Sequence, residues 1–151
     1  MTYWLMKSEP DAFSIDDLKR EKVSPWDGVR NYQARNMLRD DMKVGDGVLF
    51  YHSNCDPPGI AGTAKIVKAG YPDYAAFDPR SKYFDPTSNQ ENPRWYRVDV
   101  QFIKKFPQLL SLHELRQIPG LKNMLVLRKG NRLSITPVTD KEWEIIIKMA
   151  S

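Results

Sequence analysis

The sequence predicts an α+β fold in which short strands form a small β-barrel and short helices pack at its ends. Three observations lead there. Apolar residues alternate with polar ones over several short segments. Three Ser- or Thr-led capping sequences each open a short helix. Both kinds of segment crowd into 151 residues with no internal repeat and no low-complexity tract. That length is close to the commonest size of a single domain, so residues 1–151 are expected to form one domain.

In chain order, Tyr3-Trp4-Leu5-Met6 is the first expected strand. Ser14-Ile15-Asp16-Asp17 reads as a capping box with Phe13 and Leu18 as a hydrophobic staple, opening a helix over about 15–21. A second helix is expected over roughly 32–41, with Asn31 able to cap it and Gly45 following its end. Val48-Leu49-Phe50-Tyr51 is a strand entered through the turn Val44-Gly45-Asp46-Gly47. The strand from Ile60 to Lys68 contains Gly62, which marks a bend or a close backbone approach. Pro72 to Pro93 is polar and rich in Asp, Pro, Ser and Asn, and reads as an excursion built of short turns. Tyr96, Val98, Val100 and Phe102 then share one strand face, with Arg97, Asp99 and Gln101 on the other. Ser111-Leu112-His113-Glu114 repeats the capping pattern, with Leu110 and Leu115 as the staple, and opens a helix over about 112–117. Leu133-Ser134-Ile135-Thr136 is the last strand. Thr139-Asp140-Lys141-Glu142, flanked by Val138 and Trp143, opens a final helix over about 140–149.

Composition narrows the function classes. With 41 % hydrophobic and 28 % charged residues the chain reads as globular, and no apolar run approaches the ~20 residues that span a bilayer. The N-terminal apolar stretch is too short for a signal peptide and has no charged region ahead of it. Cys55 is the only cysteine, which fits a reducing compartment. The expectation is a cytoplasmic protein, nuclear if the source is eukaryotic, without a membrane partner and with no sign of an obligate dimer seam. The net charge of +4 is mild support for a polyanionic partner. Arg30, Arg35 and Arg39 cluster in one segment, and Arg128, Lys129 and Arg132 surround a late turn.

Catalytic and metal chemistry find little support. His52, His113 and Cys55 are the only borderline or soft ligands, and they lack zinc-site spacing. No Walker loop and no Gly-x-Gly-x-x-Gly run is present. Lys7-Ser8-Glu9 could serve as base, hydroxyl and acid if buried together, but the same residues are also what a strand end turning into Pro10 contains. The sequence therefore predicts no catalytic residue, no metal and no cofactor.

Two segments combine the groups a base pocket needs. In Pro25-Trp26-Asp27-Gly28-Val29-Arg30-Asn31, an indole offers a stacking face, an asparagine can donate and accept in one plane, and Gly28 leaves the backbone approachable. Phe50-Tyr51-His52-Ser53 would add an aromatic, an imidazole and a hydroxyl at the same rim. Each residue has a plainer alternative: Trp26 and Tyr51 as core aromatics, Asn31 as a helix cap, Arg30 as surface charge.

The stretches Tyr3 to Pro10, Trp26 to Asn36, Gly45 to Ser53, Pro93 to Val100 and Arg132 to Val138 resemble the EVE-domain family, in register over essentially the whole chain. The resemblance implies a PUA-like small β-barrel and recognition of a modified base, such as methylated or hydroxymethylated cytosine, in DNA or RNA. It places the pocket among Lys7, Ser8 and Glu9, with Trp26, Gly28, Val29, Arg30 and Asn31 as a second wall and Tyr51, His52 and Ser53 at the rim. Trp26 would stack on the base, Asn31 would read its edge, and Ser8 and Ser53 would offer hydroxyls. Arg30 and Arg35 would hold flanking phosphates. The related ASCH domains imply an alternative, a hydrolase of modified nucleosides using Lys7 and Glu9.

Overall fold

Short apolar runs and period-2 alternation together build the sheet. The computed structural model of the chain describes residues 1–150. Its strands are β1 (Tyr3–Ser8), β2 (Val23–Trp26), β3 (Gly47–His52), β4 (Gly59–Pro72), β5 (Tyr96–Ser111) and β6 (Ile135–Val138). They form one six-stranded sheet in the order β2-β5-β4-β3-β1-β6. β1 and β3 run parallel, and every other neighbouring pair is antiparallel. The helices are α1 (Ile15–Glu21), α2 (Tyr32–Asn36), α3 (Leu112–Arg116) and α4 (Asp140–Met149). None of them is long and apolar enough to cross a membrane among the described residues.

The sheet buries both faces. On β1 and β3, Trp4, Met6, Val48 and Phe50 join one cluster with Ile15 and Leu18 of α1 and Ala34 of α2. Leu5, Leu49 and Tyr51 join the other, with Leu115 of α3 and Ile146 of α4. Helices on both faces explain why these two strands are nearly continuous apolar runs.

The fold is the expected α+β, PUA-like architecture, but the sheet does not close into the expected barrel. The edge strands β2 and β6 do not pair with each other. Yet Trp26 of β2 and Ile135 of β6 lie in the same buried cluster. The sheet therefore curls round that cluster and is completed by side-chain packing. Register shifts in β4 between Ile60 and Gly62, Thr63 and Ala64, Ile66 and Lys68, and Lys68 and Tyr71 supply the bending. Gly62 is part of this: a Cβ there would collide with the Lys104 carbonyl. Both readings of that glycine from sequence, bend and close approach, are met.

Several boundaries differ from expectation. β2 was not anticipated, because Pro25 argues against a strand; it is tolerated here on an edge, as is Pro137 in β6. The expected strand at 133–136 begins instead at Ile135. The helix expected over 32–41 is α-helical only to Asn36. It continues over Met37–Asp41 as a π-turn in which Met42 N–H reaches the Met37 carbonyl at 2.9 Å. Ser14 and Thr139 form complete capping boxes. At Ser111 only half the box forms: its hydroxyl accepts from Glu114 N–H, and Glu114 accepts from that hydroxyl at 3.1 Å rather than from the cap backbone. Ser111 is still the last residue of β5, in register with Gly59.

The polar excursion is a chain of side-chain-capped turns, as its composition implies. Asp73, Asp78, Ser81 and Asp85 each accept a backbone N–H two residues on, from Ala75, Arg80, Tyr83 and Thr87, and Asn89 does so from Glu91.

Candidate base-binding cavity

A cavity of about 710 Å³ opens where the two sheet edges fail to meet. One wall is the end of β1, Lys7-Ser8-Glu9, with Ala12 and Phe13 behind it and Ser134 from just before β6. The opposite wall is β2 and the turn after it, Ser24 to Arg30, with Glu21 from α1. Lys82 and Tyr83 of the excursion complete the lining.

Trp26 is largely buried, with 8 % of its surface exposed, but it faces this cavity. Its ring meets Phe50 edge-on, 5.4 Å between centroids at 78°, which fixes the indole plane. Gly28 adopts φ +76°, and a Cβ there would collide with the Tyr83 ring, so only glycine lets the excursion close down on this turn.

The turn is held from behind by Asp73, which is fully buried. Its carboxylate accepts from Gly28 N–H at 2.9 Å, from the Arg30 guanidinium at 3.0 Å and from Ala75 N–H at 3.0 Å. Arg30 also donates twice to the Tyr83 carbonyl, at 2.7 and 3.3 Å, and its guanidinium lies over the Tyr83 and Trp95 rings. Trp95 in turn donates to Asp85 at 2.6 Å, and with Thr87 this holds the Asp85 carboxyl down at about 2. Arg30 is thus committed to clipping the excursion onto the cavity wall.

At the β1 wall, burial lowers the Lys7 ammonium below its ordinary pKa, and its charge sits 5.8 Å from the Tyr51 ring centre. Ser8 Oγ donates to the Phe13 carbonyl at 2.6 Å, which leaves the oxygen free only to accept. Asp27 is raised above the usual carboxylate range by partial burial and the nearby Asp73, with Arg97 and Arg30 opposing.

Of the residues expected at the pocket, Lys7, Ser8, Glu9, Trp26, Gly28, Val29 and Arg30 line the cavity. Asn31, Tyr51, His52 and Ser53 do not. Asn31 Oδ1 caps α2 by accepting from Ala34 N–H, which occupies the group meant to read a base. Tyr51 packs in the cluster opposite to that of Trp26, because adjacent residues of a strand point to opposite faces. His52 Nε2 accepts from Ile15 N–H at 3.1 Å, and Ser53 touches the β1 end through its backbone, donating to the Ser8 carbonyl. Arg35 lies outside the lining, stacked over Tyr32 and donating to the Arg94 carbonyl at 2.7 Å.

Sequence reasoning missed Asp27, Phe13, Ser134, Lys82 and Tyr83 as lining residues. Asp27 lies within the segment Pro25 to Asn31, where a single carboxylate carries no signal of its own. Tyr83 carries no local signal, since only the fold brings the excursion back. Among the described residues, no group of three or more His, Cys, Asp or Glu is placed to hold a metal ion.

Comparison with known proteins agrees with this architecture. Human thymocyte nuclear protein 1 is 46 % identical over 167 aligned positions, covering 98 % of this chain and 73 % of that protein. A crystal structure of a protein from Pseudomonas syringae matches with a TM-score of 0.94 at 50 % identity, covering 99 % of each chain. The crystal structure of human THYN1 in complex with DNA containing 5-methylcytosine matches with a TM-score of 0.92 at 44 % identity, covering 100 % of this chain and 98 % of that one. The profile of the EVE domain spans residues 2–149, and the chain belongs to the EVE domain family.

Proposed function

We propose that the chain is a nucleic-acid-binding module that takes one modified base, such as methylated or hydroxymethylated cytosine, into the cavity beside Trp26. The observation that carries this is a fixed indole lining a cavity of about 710 Å³, a size within the usual range for small-ligand sites. The likeness to human THYN1, whose structure holds 5-methylcytosine-containing DNA, supports the same reading. A base stacked inside a duplex cannot enter such a cavity, so the ligand is an extruded base or one in a single strand. Either DNA or RNA satisfies that geometry.

In this reading Trp26 stacks on the ring and the β1 end lies across it, with Ser8 Oγ as an acceptor. Arg30 acts by positioning the turn rather than by holding a phosphate, since four of its five N–H donors are already taken. Exposed Lys82 at the lining is the better placed cation for the backbone of the ligand. The chain works as a single domain and a monomer, without a cofactor, in whichever compartment holds the nucleic acid. It binds and does not turn over, although Lys7, its pKa lowered by burial, lies in the cavity beside Ser8 and Glu9. Mass spectrometry of modified nucleosides incubated with the protein should return them unchanged.

The direct test is Trp26→Ala. Base–aromatic stacking is worth about 1–3 kcal/mol, so binding of the modified base should weaken by about 5- to 150-fold while the fold persists. Equal affinity of parent and variant for a methylated oligonucleotide would remove the assignment.

A further inference from the structure

The cavity contains a feature that a site for a polyanion does not need. Three of its lining residues are acids, Glu9, Glu21 and Asp27. Phosphates repel carboxylates, so an acid here is useful only against donors on the base itself. Glu9 already accepts from Asn54 Nδ2 at 3.4 Å, and Glu21 sits at the end of α1. Asp27 follows Trp26 directly, and its nearest cation, Arg97, is 3.7 Å away, too far for a tight hydrogen-bonded pair. Arg97 is itself held between the rings of Tyr71 and Tyr74. The Asp27 side chain keeps 39 % of its surface exposed beside the cavity.

On this base-pocket reading, we propose that Asp27 is the specificity residue that distinguishes a methylated cytosine from thymine. The two rings have nearly the same outline and the same 5-methyl group. They differ along one edge: cytosine presents an N4 amino donor beside an N3 acceptor, whereas thymine presents an O4 acceptor beside an N3–H donor. A carboxylate accepts from the cytosine N4 amino group and is repelled by the thymine O4. A carboxyl that has taken up a proton loses this preference, because, like an amide, it can turn to pair with either edge. Partial burial and the Asp73 charge raise the Asp27 pKa, against Arg97 from β5 and Arg30 from the same turn, so the preference is fullest where the carboxyl is ionised. Lys7, Glu9, Glu21 and Lys82 are the other charged groups of the lining.

The test compares single-stranded oligonucleotides carrying one 5-methylcytosine, one thymine or one plain cytosine at the same position, at fixed salt. The parent should prefer 5-methylcytosine to thymine by about tenfold or more. Asp27→Asn should bind both within about twofold, because an amide can turn to match either edge. The parent's preference for 5-methylcytosine over thymine should weaken as the pH is lowered towards the raised pKa of Asp27, and the near-equal binding by Asp27→Asn should not change. Retained 5-methylcytosine binding by Asp27→Asn shows that it is folded; if it fails to melt cooperatively, Asp27→Ser replaces it, with lost preference again expected. An Asp27 variant that keeps the parent's preference over thymine overturns the proposal, as does a parent with no such preference. A parent that ignores methylation and is unaffected by Trp26→Ala removes the pocket reading instead, so the two failures are distinguishable.

Discussion

His52 Nε2 accepts the Ile15 N–H, which only the neutral ring can do. Burial lowers its pKa, with Lys105 acting the same way and Asp16 opposing. In the unfolded chain the ring titrates near its ordinary value of about 6.5. The unfolded state therefore takes up the proton first as the pH falls. The stability contributed by this bond is fully present above about 6.5 and is lost as the pH drops through the lowered folded value. His52→Ala should cost about 1 kcal/mol in urea denaturation at mildly alkaline pH. The gap between variant and parent should narrow in mildly acidic buffer. A gap that stays constant across that range would mean the bond is absent. The imidazole expected at a pocket rim is thus a cap on the first free N–H of α1.

At the scale of elements, the turn after β2 and the excursion depend on one another. Asp73 opens the excursion and also binds Gly28 N–H and Arg30, so the two segments share one buried carboxylate. Asp73→Ala should destabilise the fold by about 3 kcal/mol, at the low end for breaking a buried pair because the Arg30 side chain keeps 23 % exposure. It should also weaken base binding, since Gly28, Tyr83 and the Trp26 wall lose their common anchor. Chemical denaturation and oligonucleotide titration of the same variant check both. A variant that loses stability yet keeps affinity would show that the excursion does not shape the cavity. The excursion's turns were legible because Asp, Asn and Ser bond their own backbone locally. Its return to the cavity was not, because nothing near Tyr83 in sequence marks Gly28 as its partner.

For the whole molecule, the net charge of +4 favours a polyanionic partner, and the number of phosphates neutralised sets the salt dependence of binding. Affinity for any oligonucleotide should fall linearly in log–log coordinates with salt, by about 0.7 per neutralised phosphate on a single strand. Discrimination between methylated and plain cytosine rests on an uncharged methyl group inside the cavity. The two titrations should therefore give parallel lines with a constant offset. Lines that converge at high salt would place the discrimination in phosphate contacts. The cavity itself is a property of the whole sheet, since its walls belong to strands that are neighbours only because the sheet curls and stops short of closing.

What the sequence by itself determined is local. Short apolar runs and period-2 alternation placed five of the six strands, and the Ser14, Ser111 and Thr139 caps placed three helices. Each rests on groups within a few residues of one another, and the long motifs carried the family resemblance for the same reason. Tertiary structure decided the rest. Alternation along β3 could have assigned Phe50, and not Tyr51, to the Trp26 side, but only once the face of Trp26 was known, and β2 was hidden by Pro25. Arg30 became a clip because Asp73 and Tyr83 come to it from more than forty positions away. A side chain's type fixes which bonds it can make. Which partner arrives depends on how the chain buries its apolar surface, and that is settled over the whole molecule.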